Sequence, residues 1–338
     1  MRALVFHGPW QLAVEDRPEP SPGADDALLE IIATGICGSD LHGYTGENGR
    51  RHPGQVMGHE TVGRVLHDRT GTHPAGALVT VNPVVGCGHC AACVAGLPQR
   101  CPDRVVIGVK PDVSAAFAER MVAPARNVVP LPDGVPDDIG CLVEPLAVGY
   151  HAVQRADLGP DDAVYVVGGG PIGQAAALAA RRLGGSRVAV AELDAARRNL
   201  VGRLGFTALD PTTRSAEEIR EILGGPPSVV VDAVGTSRTL QSALDISALG
   251  ARIVLVGLGE PRVDISAYAL STEERAILGS FSYDEAAFRD TAQWASAHAT
   301  ELEPLIDARV GLDEAPDTFR ALAEGRLSAS KALVYPAR

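Results

Sequence analysis

The chain has 338 residues, of which 46% are hydrophobic and 21% charged, and its formal net charge is −12. This length exceeds a single ordinary core and predicts two domains, and the composition is typical of a globular protein rather than a disordered one. The acidic balance, with no basic run to reverse it locally, argues against nucleic acid as a partner.

The chain begins with a short alternating stretch, residues 1–6, which predicts a first strand rather than a secretory signal. No apolar run reaches the roughly 20 residues that a membrane-spanning helix needs. In a reducing compartment, six cysteines are expected to be metal ligands or buried thiols rather than disulfides. We therefore expect a cytoplasmic protein with no membrane partner.

The first 148 residues consist mostly of short β-like runs punctuated by Gly and Pro, with candidate strands at 27–32, 61–66 and 77–81. From Ile139 to Ala156 the apolar residues take a helical spacing instead. This change of pattern places the first domain boundary at residue 148.

Strand-like and helix-like segments then alternate, at 163–167, 174–183, 187–191, 195–204, 229–232, 239–249 and 253–257. Such alternation predicts a doubly wound parallel sheet covered by helices. An amphipathic helix at 285–297 and a strand at 331–335 follow, and we expect this tail to pack back on the first domain. The prediction is an α/β chain in which a domain of residues 149–283 is inserted into a mostly β domain formed by 1–148 and 284–338.

A glycine-rich turn joins the first predicted strand of the inserted domain to its first helix. The sequence Gly168-Gly169-Gly170-Pro171-Ile172-Gly173 contains the G-x-G-x-x-G spacing of a dinucleotide site. A Cβ atom there would block the tight turn, the approach of the backbone to a pyrophosphate, or close helix–sheet packing. The candidate cofactor-binding residues are therefore Gly168, Gly170, Pro171, Ile172 and Gly173. A glycine-rich turn that binds nothing is the alternative.

Glu192 ends the next strand, nineteen residues after Gly173. A carboxylate at this place accepts hydrogen bonds from the adenosine ribose of NAD and repels the 2′-phosphate of NADP. Arg197, about one helical turn further along, is a second candidate for cofactor binding and can soften that discrimination. We expect NAD rather than NADP.

The most specific motif is a run of four thiols within fifteen residues, spaced C-x2-C-x2-C-x7-C and formed by Cys87, Cys90, Cys93 and Cys101. Four thiolates on one loop complete a tetrahedral zinc shell with no open position, which stabilises a surface lobe and leaves no place for a substrate. We predict a structural zinc, with His89 facing solvent. An iron–sulfur cluster and a zinc ribbon that binds nucleic acid are the alternatives, and the acidic charge disfavours the second.

Two earlier stretches, 34–42 and 57–60, hold one thiol, two imidazoles and several oxygen groups, in the segments C-G-S-D-L-H and G-H-E. Together with the four-cysteine run, Glu144-Pro145-Leu146-Ala147-Val148 and the glycine-rich turn, and in this order, they resemble the zinc-containing medium-chain dehydrogenases. The resemblance covers nearly the whole chain. The glutamate of the E-P-L-A-V segment is similar to the sorbitol and threonine dehydrogenase branch.

The resemblance implies a GroES-like catalytic domain, an inserted Rossmann domain, and two zinc ions per subunit. Cys37 and His59 would be ligands of the catalytic zinc, Glu60 a ligand or an exchangeable one, and Glu144 would bind directly or through water. Asp40 resembles the carboxylate that fixes the orientation of the histidine ligand.

The resemblance also assigns a proton relay, in which Ser39 takes the substrate proton and His42 passes it towards solvent. Cys141 and His151 are expected to be packing residues.

The activity that the resemblance implies is NAD-dependent oxidation of a secondary hydroxyl of a polyol-like or cyclitol-like small molecule, or reduction of the matching ketone. The partners would be that alcohol or ketone and further copies of the chain, as a tetramer or dimer. Within enzymes, the alternatives are an aminocyclitol or amino-sugar dehydrogenase and a threonine-type 3-hydroxy acid dehydrogenase. From another class, the alternative is a cofactor-binding protein without catalysis.

Overall fold

The computed structural model of the chain describes residues 1–47, 49–111 and 113–338. These divide into two compact units, one formed by Met1–Glu144 and Asp284–Arg338 and the other by Pro145–Tyr283. The first boundary follows Glu144, four residues before position 148. It lies near the start of a helix that begins at Val143. The predicted helix from Ile139 begins instead as a 3₁₀ turn, Asp137–Leu142.

The strands and helices are numbered here in chain order. Up to the first boundary they are β1 (Arg2–Gly8), β2 (Gln11–Asp16), β3 (Asp26–Gly35), α1 (Gly38–Thr45), β4 (Gln55–Val56), β5 (Glu60–Asp68), β6 (Leu78–Val81), β7 (Val84–Val85), α2 (Ala91–Val94), β8 (Val105–Val106), β9 (Arg120–Pro124), β10 (Val128–Pro130) and α3 (Val143–Arg155). The middle of the chain contains β11 (Ala163–Val167), α4 (Pro171–Arg182), β12 (Arg187–Ala191), α5 (Ala195–Arg203), β13 (Thr207–Leu209), α6 (Ala216–Leu223), β14 (Val229–Asp232), α7 (Ser237–Ile246), β15 (Arg252–Leu255), α8 (Ala267–Ser271) and β16 (Ala276–Gly279). The tail contains α9 (Glu285–Ala297), α10 (Ala299–Leu302), β17 (Ile306–Gly311), α11 (Ala315–Ala323) and β18 (Lys331–Tyr335).

The first unit is built around a sheet ordered β10-β6-β5-β3-β18-β17, in which β9 also pairs with β3. Strand β18 runs antiparallel to β3 and parallel to β17, so the tail completes this sheet. Alternate residues of β3, among them Ala27, Leu29 and Ile31, are buried in one core cluster. This sheet holds the ends of β3, β5 and β18 side by side.

Three aromatic rings fix α1 on this unit. Tyr44 on α1 and Phe319 on α11 meet edge to face with ring centroids 5.7 Å apart, and Phe319 meets Phe117 at 5.5 Å. Such pairs add about 0.5–1.5 kcal/mol each beyond the burial of their surface. The position of α1 matters because several predicted site residues lie on it.

The second unit confirms the predicted doubly wound sheet. Its strands are all parallel and ordered β13-β12-β11-β14-β15-β16, which is the Rossmann arrangement. Strand β11 is buried along its whole length, as a central parallel strand must be. Within the described residues, none of the helices combines the length and the apolar character that crossing a membrane requires.

Candidate metal centres and dinucleotide turn

The first candidate metal centre forms where β3 and β5 run side by side. Gly35 lies opposite Glu60 in the ladder, Cys37 follows β3 and caps α1, and His59 directly precedes β5. The ladder therefore brings two distant segments together. One ligand atom each from Cys37, His59 and Glu60 lies within 4.8 Å of the other two.

His59 is buried among negative groups. Burial by itself lowers the pKa of the imidazole, but the charges of Asp40, Cys37 and Glu144 outweigh it and raise the pKa to about 10. Among the described residues, the Nδ1 atom has no hydrogen-bond partner, and it lies 3.6 Å from Asp40 Oδ1. Asp40 lies on the Nδ1 side of the ring, and a carboxylate beside the second ring nitrogen is what metal-bound histidines commonly have. Sulfur, imidazole and carboxylate donors are the ligands of zinc, so the residues fit a zinc ion.

Glu60 has a partner that sequence analysis missed. Lys331 Nζ lies 2.7 and 2.6 Å from the two carboxylate oxygens, and the two side chains are only 3% and 1% exposed. The pairing of β18 with β3 produces this contact across 271 positions of the chain. The available signal was a lysine at the head of an apolar strand, since a buried lysine needs a partner. The Glu60 carboxylate therefore contacts the Lys331 ammonium and also lies close to Cys37 and His59.

The other predicted residues of this centre lie around it. Glu144 is buried near the start of α3 and adds negative charge at His59, but among the described residues it is outside the group within 4.8 Å. Ser39 is half-buried in the first turn of α1. The His42 side chain is 54% exposed, and its Nδ1 lies 2.6 Å from Glu47 Oε2. The roles of all three remain predictions.

Asp40 is completely buried and touches several neighbours. Its Oδ2 accepts a hydrogen bond from the backbone N–H of Cys37 at 3.2 Å. Its Oδ1 accepts one from Arg51 at 3.2 Å. Sequence analysis missed Arg51, because nothing in the spacing of a loop arginine indicates that it is buried.

The second candidate metal centre is the four-cysteine lobe. One sulfur from each of its members lies within 4.8 Å of the others: Cys87, Cys90, Cys93 and Cys101. Backbone N–H groups also point at the sulfurs, for example that of Cys90 at 3.4 Å from Cys87 Sγ. His89 is exposed, as predicted.

The thiols of this lobe influence one another's ionisation. Backbone N–H groups of His89 and Cys90 lower the pKa of Cys87 to about 6. The backbone N–H of Gly88 lowers the pKa of Cys93, but burial and hydrogen bonds with neighbouring thiols outweigh it and raise the pKa to about 12. Four thiolates at this spacing fit zinc, which binds them in the deprotonated form.

The glycine-rich turn lies between β11 and α4, next to the point where the strand order reverses. Gly168 has a φ of +93°, and Gly170 precedes the first turn of α4, whose N–H groups can bind an anion. A Cβ on Gly173 would lie 1.7 Å from the carbonyl oxygen of Gly168, so no other residue fits there. Pro171 and Ile172 begin the helix.

Glu192 and Arg197 lie beside this turn. The two carboxylate oxygens of Glu192 accept hydrogen bonds from the backbone N–H groups of Gly169 and Asp194, both at 2.8 Å. A guanidinium nitrogen of Arg197 lies 4.0 Å from where a Cβ of Gly170 would be. The turn therefore has one acidic and one basic neighbour, an arrangement that suits a dinucleotide.

Comparison with known proteins gives consistent matches along the chain. The family model of the alcohol dehydrogenase GroES-like domain matches residues 23–133, and that of zinc-binding dehydrogenases matches 171–297. L-galactonate-5-dehydrogenase of Escherichia coli K12 is 34% identical over 285 residues, which are 83% of each chain. Sorbitol dehydrogenase of Ovis aries is 31% identical over 335 residues, 96% of this chain and 93% of that one.

Solved structures are similar over the same length. An alcohol dehydrogenase of E. coli CFT073 in complex with NADH superposes with a TM-score of 0.91 at 27% identity. A zinc-binding dehydrogenase of Sinorhizobium meliloti 1021 bound to NADP gives a TM-score of 0.89 at 30% identity. Each comparison covers 99% of both chains.

Proposed function

The chain belongs to the zinc-dependent medium-chain dehydrogenases, in the sorbitol and threonine dehydrogenase-like branch, and on that premise we propose that it transfers hydride between NAD and a secondary hydroxyl of a polyol-like small molecule. Membership makes the protein an oxidoreductase. The proposal adds the cofactor, the substrate class and the residues that act.

The observation that carries the proposal is the group of Cys37, His59 and Glu60, in which one ligand atom of each residue lies within 4.8 Å of the other two. These residues would hold a catalytic zinc, with Glu144 as a further ligand, direct or through water. When bound, zinc supplies Lewis acidity at the substrate oxygen and the nicotinamide accepts the hydride. The four-cysteine lobe would hold the second, structural zinc.

The chain's own side chains would bind, orient and move the proton. Asp40 faces the imidazole of His59 and fixes its orientation, a task that metal-bound histidines commonly require. Ser39, on α1, would accept the substrate proton, a role that the resemblance of the C-G-S-D-L-H segment to the family implies. His42 lies one turn further along and is exposed, so it would exchange that proton with solvent.

A polyhydroxylated substrate is supported by the names of the relatives. L-galactonate and sorbitol are both open-chain polyhydroxylated compounds, and the enzymes named for them are 34% and 31% identical to this chain. The E-P-L-A-V segment at Glu144 supports the same branch. We therefore propose a secondary hydroxyl flanked by a second hydroxyl as the oxidised group.

NAD is proposed as the cofactor because Glu192 presents a carboxylate beside the turn where the adenosine ribose would lie. The turn itself, from Gly168 to Gly173, would bind the pyrophosphate at the N-terminus of α4. Arg197 can attract a 2′-phosphate, and a relative binds NADP, so the two cofactors must be compared directly.

Self-association is proposed through β16, the last strand in the order of the Rossmann sheet. Ala276 and Gly279 are exposed, and Ile277 and Leu278 are only partly buried. An exposed apolar edge promotes pairing with another copy. Light scattering should give the mass of a dimer or tetramer, and Leu278→Lys should shift the measured mass towards that of the monomer.

The six free thiols support a reducing cytoplasm as the location.

The experiment that tests the activity is NADH formation by the zinc-quantified protein with a panel of polyols, cyclitols and amino alcohols, repeated with NADP. Cys37→Ala and His59→Ala should abolish turnover and lose one zinc of two, with the four-cysteine lobe still occupied. Cys141→Ala is the matched control, because this buried thiol donates to the Ala33 carbonyl and lies outside the metal group. Normal turnover in either ligand variant would refute the assignment.

A further inference from the structure

A buried arginine lies directly behind the Cys37–His59 centre. Arg51 is in the loop between α1 and β4, and its side chain is only 1% exposed. One of its nitrogens donates to Asp40 Oδ1 at 3.2 Å and to the carbonyl oxygen of Ser39 at 3.3 Å. The side-chain exposure of Asp40 is 0%, so this is a fully desolvated ion pair. Such little exposure leaves Arg51 no surface with which to bind a substrate.

Helix α1 is shaped to accept this arginine. A Cβ on Gly43 would lie 2.5 Å from Arg51 Cγ and 3.0 Å from Arg51 Nε. Glycine inside a helix costs about 1 kcal/mol relative to alanine. The aliphatic part of the Arg51 side chain therefore occupies the space that any side chain at position 43 would need. This close approach explains why α1 contains a glycine, a poor helix former, at that position.

The carboxylate that Arg51 holds contacts both firm candidate ligands. Asp40 Oδ2 accepts from the backbone N–H of Cys37 at 3.2 Å. Asp40 Oδ1, the oxygen bound to Arg51, lies 3.6 Å from His59 Nδ1. A change in the orientation of this carboxylate would therefore disturb the cysteine and the histidine together.

We propose that Arg51 is a positioning residue of the Cys37–His59 metal centre, which fixes the Asp40 carboxylate and thereby sets the affinity of that centre for zinc. This inference rests on the proposed function, because it assumes that the centre binds zinc. Arg51 acts through Asp40, because within the described part of the chain its hydrogen bonds go to Asp40 and to the Ser39 carbonyl rather than to the side chains of Cys37, His59 or Glu60.

The test is zinc affinity, measured by competition with a chelator on the full-length protein, with the four-cysteine lobe as an internal reference. Loss of a second-sphere partner typically weakens metal binding about 10–100-fold. We expect Arg51→Met to weaken the Cys37 centre by that factor and to leave the lobe unchanged. Removal of a nearby cation would by itself strengthen zinc binding, so unchanged or tighter binding would overturn the proposal.

Two further measurements separate positioning from a general loss of structure. Arg51→Lys keeps a cation beside Asp40, and we expect it to recover most of the lost affinity. In the cobalt-substituted protein, the ligand-field spectrum should change in Arg51→Met and return in Arg51→Lys, because the spectrum reports ligand geometry. A spectrum identical in all three proteins would contradict the inference.

A double variant covers the case in which Arg51→Met does not fold. Asp40→Asn with Arg51→Met removes both charges, which buried ion pairs tolerate better than removal of one partner. Because Arg51 acts through Asp40, the double variant should bind zinc as Asp40→Asn does. A further tenfold loss would refute this route. If the wild-type protein binds zinc only at the four-cysteine lobe, the proposed function itself fails, whereas two bound ions with no effect of Arg51 would refute the positioning role alone.

Discussion

Replacement of Lys331 by methionine should destabilise the first unit, because it leaves Glu60 as a buried charge without a partner. The ammonium lies 2.6–2.7 Å from both carboxylate oxygens, and neither side chain is more than 3% exposed. Removal of one partner from a buried pair typically costs about 3–5 kcal/mol, and we expect a loss of stability in this range. With an m-value of about 3 kcal/mol/M, the urea midpoint should fall by about 1–1.7 M.

The assay is urea unfolding of the zinc-free protein, followed by tryptophan fluorescence and circular dichroism. The matched control is the double variant Lys331→Met with Glu60→Gln, which carries no buried charge and should recover most of the lost stability. Lys331→Arg should retain the pair. A midpoint that falls by less than about 0.3 M, or a double variant as unstable as the single one, would refute the reasoning.

The loss of stability in Lys331→Met should depend on zinc. Glu60 lies within 4.8 Å of Cys37 and His59, so a bound zinc can replace the charge that Lys331 supplied. The deficit of Lys331→Met should therefore shrink when zinc is saturating, since a ligand bound only by the folded state stabilises it. A deficit independent of zinc would show that Glu60 does not approach the metal.

Three further outcomes follow from single contacts. Cys93→Ser removes one thiolate of the lobe, so zinc content should fall from two ions per chain to one and the thermal midpoint should decrease; retention of both ions would contradict the structural role. Glu192→Ser removes the carboxylate that repels a 2′-phosphate, so kcat/KM with NADP should rise at least about tenfold relative to NAD, and an unchanged ratio would mean that Glu192 does not face the ribose. Burial raises the pKa of Asp162, but hydrogen bonds from Ser228 and the ion pair with Arg252 outweigh it and lower the pKa. Because a lowered carboxyl pKa contributes stability above the unfolded value of about 3.9, Asp162→Asn should be less stable than wild type at pH 7, and the gap should close as the pH falls through the lowered pKa. A gap that stays constant with pH would argue against this contact.

The sequence by itself determined the features whose parts lie close together in the chain. The glycine-rich turn occupies six consecutive residues after a buried strand, and the four cysteines fall within fifteen. Alternation of strands and helices over 163–257 predicted the order of a doubly wound sheet, which the structure confirms. Such signals are readable because backbone geometry and ligand spacing are local properties.

Some errors were local as well. The stretch from Ile139 reads as one helix, but its first residues form a 3₁₀ turn that ends at Leu142. Strands β13 and β16 were not among the predicted strands, because Thr-Ala-Leu and Ala-Ile-Leu-Gly lack the β-branched run that marks the equally short β14.

Only the tertiary structure decided which charges share the candidate catalytic centre. Lys331 reaches Glu60 because β18 pairs with β3, and Arg51 reaches Asp40 because α1 has a glycine where its stem passes. Sequence spacing identifies neither partner, although a lysine at the head of the apolar strand β18 indicates that Lys331 needs one. Burial is what requires these pairs, since a charge without a partner is costly in the interior, and burial is a property of the assembled sheet and helices rather than of any segment.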